Sequence, residues 1–216
     1  MAHYDLEEQE QLDELKAWWK MYGNLVTGVV TAAALAVAGW QGWNWYQNGQ
    51  AAQASAVFAA LEEAVQNKDA ARTKAVAGEL ADKFGGTAYA GLGAMVAAKA
   101  SLDAGDAKTA KLQLAWVAEN GKNEAKDLAR LRLAALLIDE KAYDEALKHL
   151  NGVHAPAFAA RFAELTGEAL LAQGKKDEAR KAFKAALAGL DDQKESGRSP
   201  YRDLLQQKID ALGESA

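Results

Sequence analysis

The chain has 216 residues, a formal net charge of −5 and an isoelectric point near 5.3. Without a basic balance it excludes the usual nucleic-acid binder, which shows clustered Lys and Arg. It contains no cysteine, which excludes disulfides, thiolate metal sites and cysteine nucleophiles. Only two prolines stand against abundant alanine, the strongest helix former, so the expected class is all-α.

In chain order, the first element is an acidic tail, residues 1–21, carrying Asp5, Glu7, Glu8, Glu10, Asp13 and Glu14. Next comes a stretch without charge: after Lys20 the next charged residue is Glu62. Crossing a bilayer takes about 20 apolar helical residues. Residues 22–46 supply that length, with only Asn24, Thr27, Thr31, Gln41 and Asn44 as polar interruptions. Trp18, Trp19 and Tyr22 stand at one end, and Trp40, Trp43, Trp45 and Tyr46 at the other. Amphipathic rings prefer the headgroup region, so these residues are read as membrane-interface anchors.

Two other readings of the stretch stay open. Ala36-Val37-Ala38 closes an apolar run in the manner of a signal-peptide cleavage site. A buried first helix of a soluble domain is the third reading, although it would seldom place five of six Trp residues only at its ends. Orientation follows from Lys and Arg. Lys16 and Lys20 precede the span, and the first basic residue beyond it is Lys68. This places the N-terminus in the cytoplasm and the larger C-terminal part outside. Gly28, Ala32 and Gly39 form a small-residue side on which another helix can approach closely.

From residue 50 onward the chain repeats. The segments AGDAKTAKLQL (104–114), EKAYDEALKHL (140–150) and QGKKDEARKAF (173–183) share a small turn, a charged pair and an alanine. Those alanines are Ala110, Ala146 and Ala179, spaced 36 and 33 residues. A period near 34 of paired helices, here called A and B, is the tetratricopeptide signature. Small or fitted residues at Ala98, Ala110, Ala134, Ala146, Gly167, Ala179, Phe183 and Ala186 are expected to set the packing between helices. The predicted fold is a transmembrane helix followed by a tetratricopeptide-like α-solenoid over residues 50–216. Its pairs are 51–84, 88–120, 124–152 and 156–190, closed by a capping helix at 200–212. The first pair is degenerate, with either Thr73 or Ala75 at the expected alanine. Pro156 is expected in the first turn of a helix A, and Asn48-Gly49 is expected to end or bend the membrane helix.

Sites of chemistry are scarce. His149 and His154 have no third ligand nearby, and His3 is remote in sequence, so no metal is expected. GLG at 91–93 lies inside a predicted helix and is not a phosphate loop. No cofactor and no catalytic residue are expected, and the protein is read as a non-enzyme. Stacked repeats build an extended concave face instead. The residues expected on it are Leu92, Met95, Lys99 and Leu102, then Leu128, Leu131, Ala135 and Ile138, then Arg161, Glu164, Glu168 and Leu171. The first two sets are largely apolar and suit unfolded polypeptide; the alternative is that their leucines pack internally.

Taken together, AWWKMYGN (17–24), the span ending in GWNWYQ, FGGTAYAGLGAMVAAKASLDAGD, LARLRLAALLIDEKAYDEAL and PYRDLLQQKIDAL resemble the YfgM family over essentially the whole chain. These are ancillary subunits of the SecYEG translocon in Gram-negative inner membranes. The resemblance implies a single-pass inner-membrane protein with a cytoplasmic N-terminus and periplasmic repeats, anchored in lipid. It implies three partners: the SecYEG translocon, the periplasmic chaperone PpiD and newly translocated, unfolded polypeptides. The implied role is to help such chains leave the translocon and pass to periplasmic chaperones. A membrane-anchored scaffold for envelope or cell-wall assembly is the competing function on the same fold.

Overall fold

The computed structural model describes residues 4–192 and 200–213, with side chains from Gln11 to Leu190 and from Pro200 onward. His3 and the side chains of Asp5, Glu7, Glu8 and Glu10 lie outside the described residues. Every regular element among the described residues is helical, as the alanine-rich, proline-poor composition dictates. The chain divides into two units, with the boundary after Gln50.

The first unit consists of the N-terminal part of helix α1 (Tyr4–Gln66). From Gln11 to Gln50 its side chains are exposed almost throughout. Leu25, Val29, Val30, Leu35 and Val37 are exposed. The most apolar window of α1 has a mean hydropathy of 1.6, and 6% of that window is buried inside the chain. A core helix of a soluble domain would bury these residues, so this is a helix long and apolar enough to cross a membrane. α1 also remains helical through Asn48 and Gly49, where an end or bend was expected. An interior Gly costs only about 1 kcal/mol, and no proline or competing cap follows to convert that cost into a stop.

The second unit is built from helix pairs. The end of α1 pairs with α2 (Ala70–Phe84), α3 (Ala88–Asp103) with α4 (Ala107–Asn120), and α5 (Glu124–Asp139) with α6 (Tyr143–Leu150). α7 (Ala159–Ala172) pairs with α8 (Lys176–Asp192), and α9 (Pro200–Asp210) follows. Three apolar clusters hold the stack together. One joins α1, α2 and α3 around Leu61, Leu80 and Phe84. A central one joins α3 to α7 around Leu114, Val117, Leu133 and Phe162. The last joins α7, α8 and α9 around Phe183, Leu190 and Leu205.

The same hydrogen-bonded turn closes each helix A. In the first pair Lys68 N–H donates to Val65 C=O (3.0 Å) and Asp69 N–H to Ala64 C=O (2.9 Å). In the second, Gly105 N–H donates to Leu102 C=O (2.9 Å) and Asp106 N–H to Ser101 C=O (2.8 Å). The pattern recurs at Lys141 and Ala142, then at Gly174 and Lys175. It is a helix C-terminal motif that needs one left-handed residue. Lys68, Gly105, Lys141 and Gly174 occupy that place, with φ of 54°, 80°, 62° and 80°. The residue five positions further on is then Thr73, Ala110, Ala146 or Ala179, so Thr73 takes the place of the alanine in the first pair. All four are buried. Lys141→Gly is expected to raise stability by about 1 kcal/mol, because glycine adopts this backbone without the Cβ clash a lysine carries. Thermal unfolding of the two proteins side by side checks it.

The alanines sit where the paired helices touch. Ala110, Ala134, Ala146, Ala179 and Ala186 have no exposed surface, and Ala98 is almost as buried. A Cβ at Gly167 would meet the Phe183 ring at 2.6 Å, which is why glycine stands there. Ala179→Leu should destabilise the protein by about 1–3 kcal/mol through overpacking. An unchanged melting curve for that variant would mean that the contact is looser than its burial indicates.

The third pair departs from regularity. α6 has only eight residues, and its chain then runs through Asn151–Ala155 without regular structure. Pro156 begins a 3-10 turn, Pro156–Phe158, ahead of α7 instead of standing in the helix's own first turn. Its fixed φ and missing N–H suit the first position of such a turn equally well.

Candidate functional site

Expected surface residues of α3 and α5 meet beside α4. A cleft of about 370 Å³ opens between them. Met95, Leu102, Leu114 and Leu136 supply apolar walls, and Lys99, Arg132 and Asp139 supply charge. Lys99 is paired along its own helix with Asp103 at 2.7 Å. Successive residues one and two turns apart on a helix share a face, which brings Met95, Lys99 and Leu102 to the same cleft.

Of the expected residues, Met95, Lys99, Leu102 and Ala135 line this cleft. Leu92 lies exposed one turn earlier on α3. On α5 the groove-facing register differs from expectation. Leu131 is buried in the central cluster, and Leu128 and Ile138 pack against it. Arg132, Leu136 and Asp139 take their place at the cleft. The repeats are not equal in length, so a register carried from one pair to the next drifts around the helix.

The third set meets α9. Glu164 is only 1% exposed. Its carboxylate accepts hydrogen bonds from Tyr201 Oη (2.8 Å), from Lys208 Nζ (2.7 Å) and from Arg161. Lys208 Nζ also bonds Glu168 at 2.5 Å. Tyr201 and Lys208 both belong to α9, which therefore covers Glu164 and partly covers Glu168, both expected to stand open, while Arg161 stays half exposed. Leu171 remains exposed. Arg180 of α8 holds the far end of α9 by donating to Leu212 C=O (2.9 Å) and Gly213 C=O (2.5 Å). Burial alone would push the Glu164 carboxyl up. The bonds from Lys208 and Tyr201 and the charge of Arg161 outweigh it, and its pKa falls below the ordinary value. Burial and the bond to Glu164 push the Tyr201 hydroxyl up.

A second polar cluster holds the irregular connection after α6. Arg130 donates to His149 C=O (2.9 Å), Asn151 C=O (2.6 Å) and Val153 C=O (2.9 Å). Asp127, buried beside it, bonds Arg130 at 3.2 Å and accepts from Ala155 N–H at 2.8 Å. His154 stacks on Phe162 with ring centres 4.5 Å apart, and Arg130 lies 4.9 Å from the same ring centre. The His154 ring serves this packing, and His149 enters it through its backbone carbonyl. Among the described residues no group of three His, Cys, Asp or Glu side chains is placed to hold a metal ion. Sequence reasoning missed this cluster because three of the partners of Arg130 are backbone carbonyls, which leave no mark in residue identity.

Burial, and then the charge of Arg130, hold His149 below its ordinary 6.5, against smaller opposing effects of Glu145 and Glu119. The fold therefore favours neutral His149. That contribution is present above pH 6.5 and is lost as pH falls through the depressed folded value. Glu164 adds a further loss below its ordinary 4.5. Acidification is expected to lower the melting temperature in these two stages, and His149→Gln should flatten the first of them.

In α1 the aromatic residues gather as two groups. Trp18 lies 6.3 Å from Trp19 and 5.7 Å from Tyr22, and Trp43 lies 6.2 Å from Tyr46, measured between ring centres. Trp40 and Trp45 are exposed with the second group. At about 1.5 Å per residue, Tyr22 and Trp40 are roughly 27 Å apart along the helix, close to a hydrocarbon core.

Comparison with known proteins agrees with this architecture. A tetratricopeptide repeat-like domain family matches residues 16–214. An ancillary SecYEG translocon subunit from Neisseria gonorrhoeae is 34% identical over 212 residues, covering 96% of this chain and 98% of that protein. A protein of the same name from Haemophilus influenzae is 31% identical, covering 97% and 99%. One from Escherichia coli is 29% identical, covering 95% and 96%. With the repeats, the apolar N-terminal helix and this full-length likeness in hand, the chain is placed in the tetratricopeptide repeat-like family of ancillary SecYEG translocon subunits.

Proposed function

We propose that the protein is an ancillary, non-enzymatic subunit of the inner-membrane Sec translocon. Residues 22–46 span the membrane once, the N-terminus is cytoplasmic and the repeats are periplasmic. The cleft between α3 and α5 binds newly translocated chains while they are still unfolded, and the protein, with the chaperone PpiD as partner, assists their release and hand-over to periplasmic chaperones. The observation that carries this reading is the end-to-end likeness to proteins named as translocon subunits. The chemistry of the cleft supports the client: apolar walls take side chains that a folded protein hides, and the charged rim keeps the empty site wet. Anchoring beside the channel compensates for weak contacts, because a short tether holds a site at an effective concentration of about millimolar.

The test is affinity purification of the protein from native membranes, repeated with residues 22–46 replaced by an unrelated apolar helix. Translocon subunits and PpiD are expected to co-purify with the native protein, and translocon recovery to fall for the replacement. Cell-wall synthases in their place would establish the scaffold function instead. Undiminished translocon recovery with the foreign helix would remove the span from recognition.

A further inference from the structure

The α3–α5 cleft is not lined by one kind of apolar group. At about 370 Å³ it stands near the small end of ligand pockets, which run from about 300 to 1,000 Å³. Leu102, Leu114 and Leu136 supply its bulk, while Ala98 of α3 and Ala135 of α5 are the smallest side chains that line it. Ala98 is buried and Ala135 partly buried. Alanine in both places leaves a depth that a leucine in either would fill.

Two other groups favour an aromatic ring in that space. Met95 lines the cleft, although the chain has only two further methionines, Met1 and Met21. A thioether is polarisable and gains from contact with the edge of a ring, where leucine offers dispersion alone. Arg132 lines the cleft from α5 and is exposed. It forms no ion pair among the described residues, whereas Lys99, the other cation of the cleft, is bonded to Asp103 at 2.7 Å. The acid of the cleft is Asp139, about 10 Å further along α5, and no ion pair links it to Arg132. A guanidinium left free in this way is weakly hydrated and stacks on the face of an aromatic ring.

We propose that this cleft prefers an aromatic side chain of an unfolded polypeptide, its ring seated between α3 and α5 with the Met95 sulfur at its edge and the Arg132 guanidinium on its face. The preference rests on the reading of this cleft as the client site and adds a specificity to it, Phe, Tyr or Trp over Leu or Ile. An aliphatic group of equal size fills the same volume but offers no negative face to the cation and no positive edge to the sulfur.

The experiment uses the full chain in lipid nanodiscs, with empty nanodiscs as the blank. Three fluorescently labelled peptides differ at one central position, which is Phe, cyclohexylalanine or Ala. Cyclohexylalanine keeps a six-membered ring and its apolar surface but has no π-system. The Phe peptide should bind about fivefold more tightly than the cyclohexylalanine peptide, and both more tightly than the Ala peptide. Met95→Leu and Arg132→Gln should each lower the Phe preference about twofold and together remove it, leaving cyclohexylalanine binding unchanged. Ala135→Leu should abolish binding of both ring peptides, and unchanged circular dichroism of every variant excludes unfolding as the cause. Equal binding of the Phe and cyclohexylalanine peptides overturns the aromatic assignment and leaves the cleft a general apolar site. A Phe preference that survives the double variant overturns it as well. Equal binding of all three peptides, or ring-peptide binding that Ala135→Leu leaves undiminished, overturns the reading of the cleft as the client site and the specificity with it.

Discussion

Replacing both α9 partners of Glu164, in Tyr201→Phe/Lys208→Met, is expected to destabilise the protein by about 3–5 kcal/mol. The reason is the environment of one carboxylate. Glu164 is 1% exposed, so water cannot solvate it when its partners go. Only Arg161, itself half exposed, would remain. A buried charge stripped of partners costs far more than the intact network contributes. The explanation carries its own control. Adding Glu164→Met to the double variant removes the stranded charge and should recover most of the lost stability, since well-packed apolar groups can replace a buried ionic cluster. Unfolding of the full chain in detergent, followed by circular dichroism, measures all three proteins. If the triple variant is no better than the double, the loss comes from α9 packing and not from the buried charge.

The second large effect is expected from Arg130→Ala, at about 3–5 kcal/mol. The guanidinium is the common donor to three carbonyls between His149 and Val153 and the ion partner of buried Asp127. Removing it leaves that carboxylate with only Ala155 N–H. It also frees the connection on which the entry into α7 depends. Arg130→Lys should rescue little, because an ammonium cannot fan out to three carbonyls and a carboxylate from one planar group. Amide hydrogen exchange locates the damage: faster exchange is expected from α6 to the start of α7, with α2 and α3 unchanged. Slowed or unchanged exchange in that stretch would mean the connection is held by the stacking of His154 on Phe162 alone.

These two clusters also mark where the sequence ceased to be readable. The helix pairs were legible because their causes are local and periodic. Alanine at 110, 146 and 179 recurs at helical contacts, and glycine or lysine recurs at the left-handed turn. The apolar stretch of α1 was legible because length and absence of charge are all a span requires. The face of α5 was not, because pairs of unequal length shift the register, and Leu131 went inside while Arg132 reached the cleft. Glu164 was read as an open groove residue because nothing local announces that α9, more than thirty residues on, folds back over it. The first pair gave Thr73 or Ala75, and only the hydrogen bond from Thr73 N–H to Asp69 C=O, matching those at Ala110, Ala146 and Ala179, selects Thr73.

The repeats and the apolar helix make a platform, and on the proposed function its α3–α5 cleft meets chains leaving the channel. The direct measurement places a photoreactive amino acid at Leu102 or Leu136 in the cleft, and at exposed Leu112 on α4 as a control. A secretory chain is then arrested in the translocon of living cells before illumination. Crosslinks to the arrested chain from Leu102 and Leu136, several times stronger than from Leu112, are the expected result. Crosslinking from Leu112 that equals or exceeds that from the cleft would mean that the repeats meet their clients by another face.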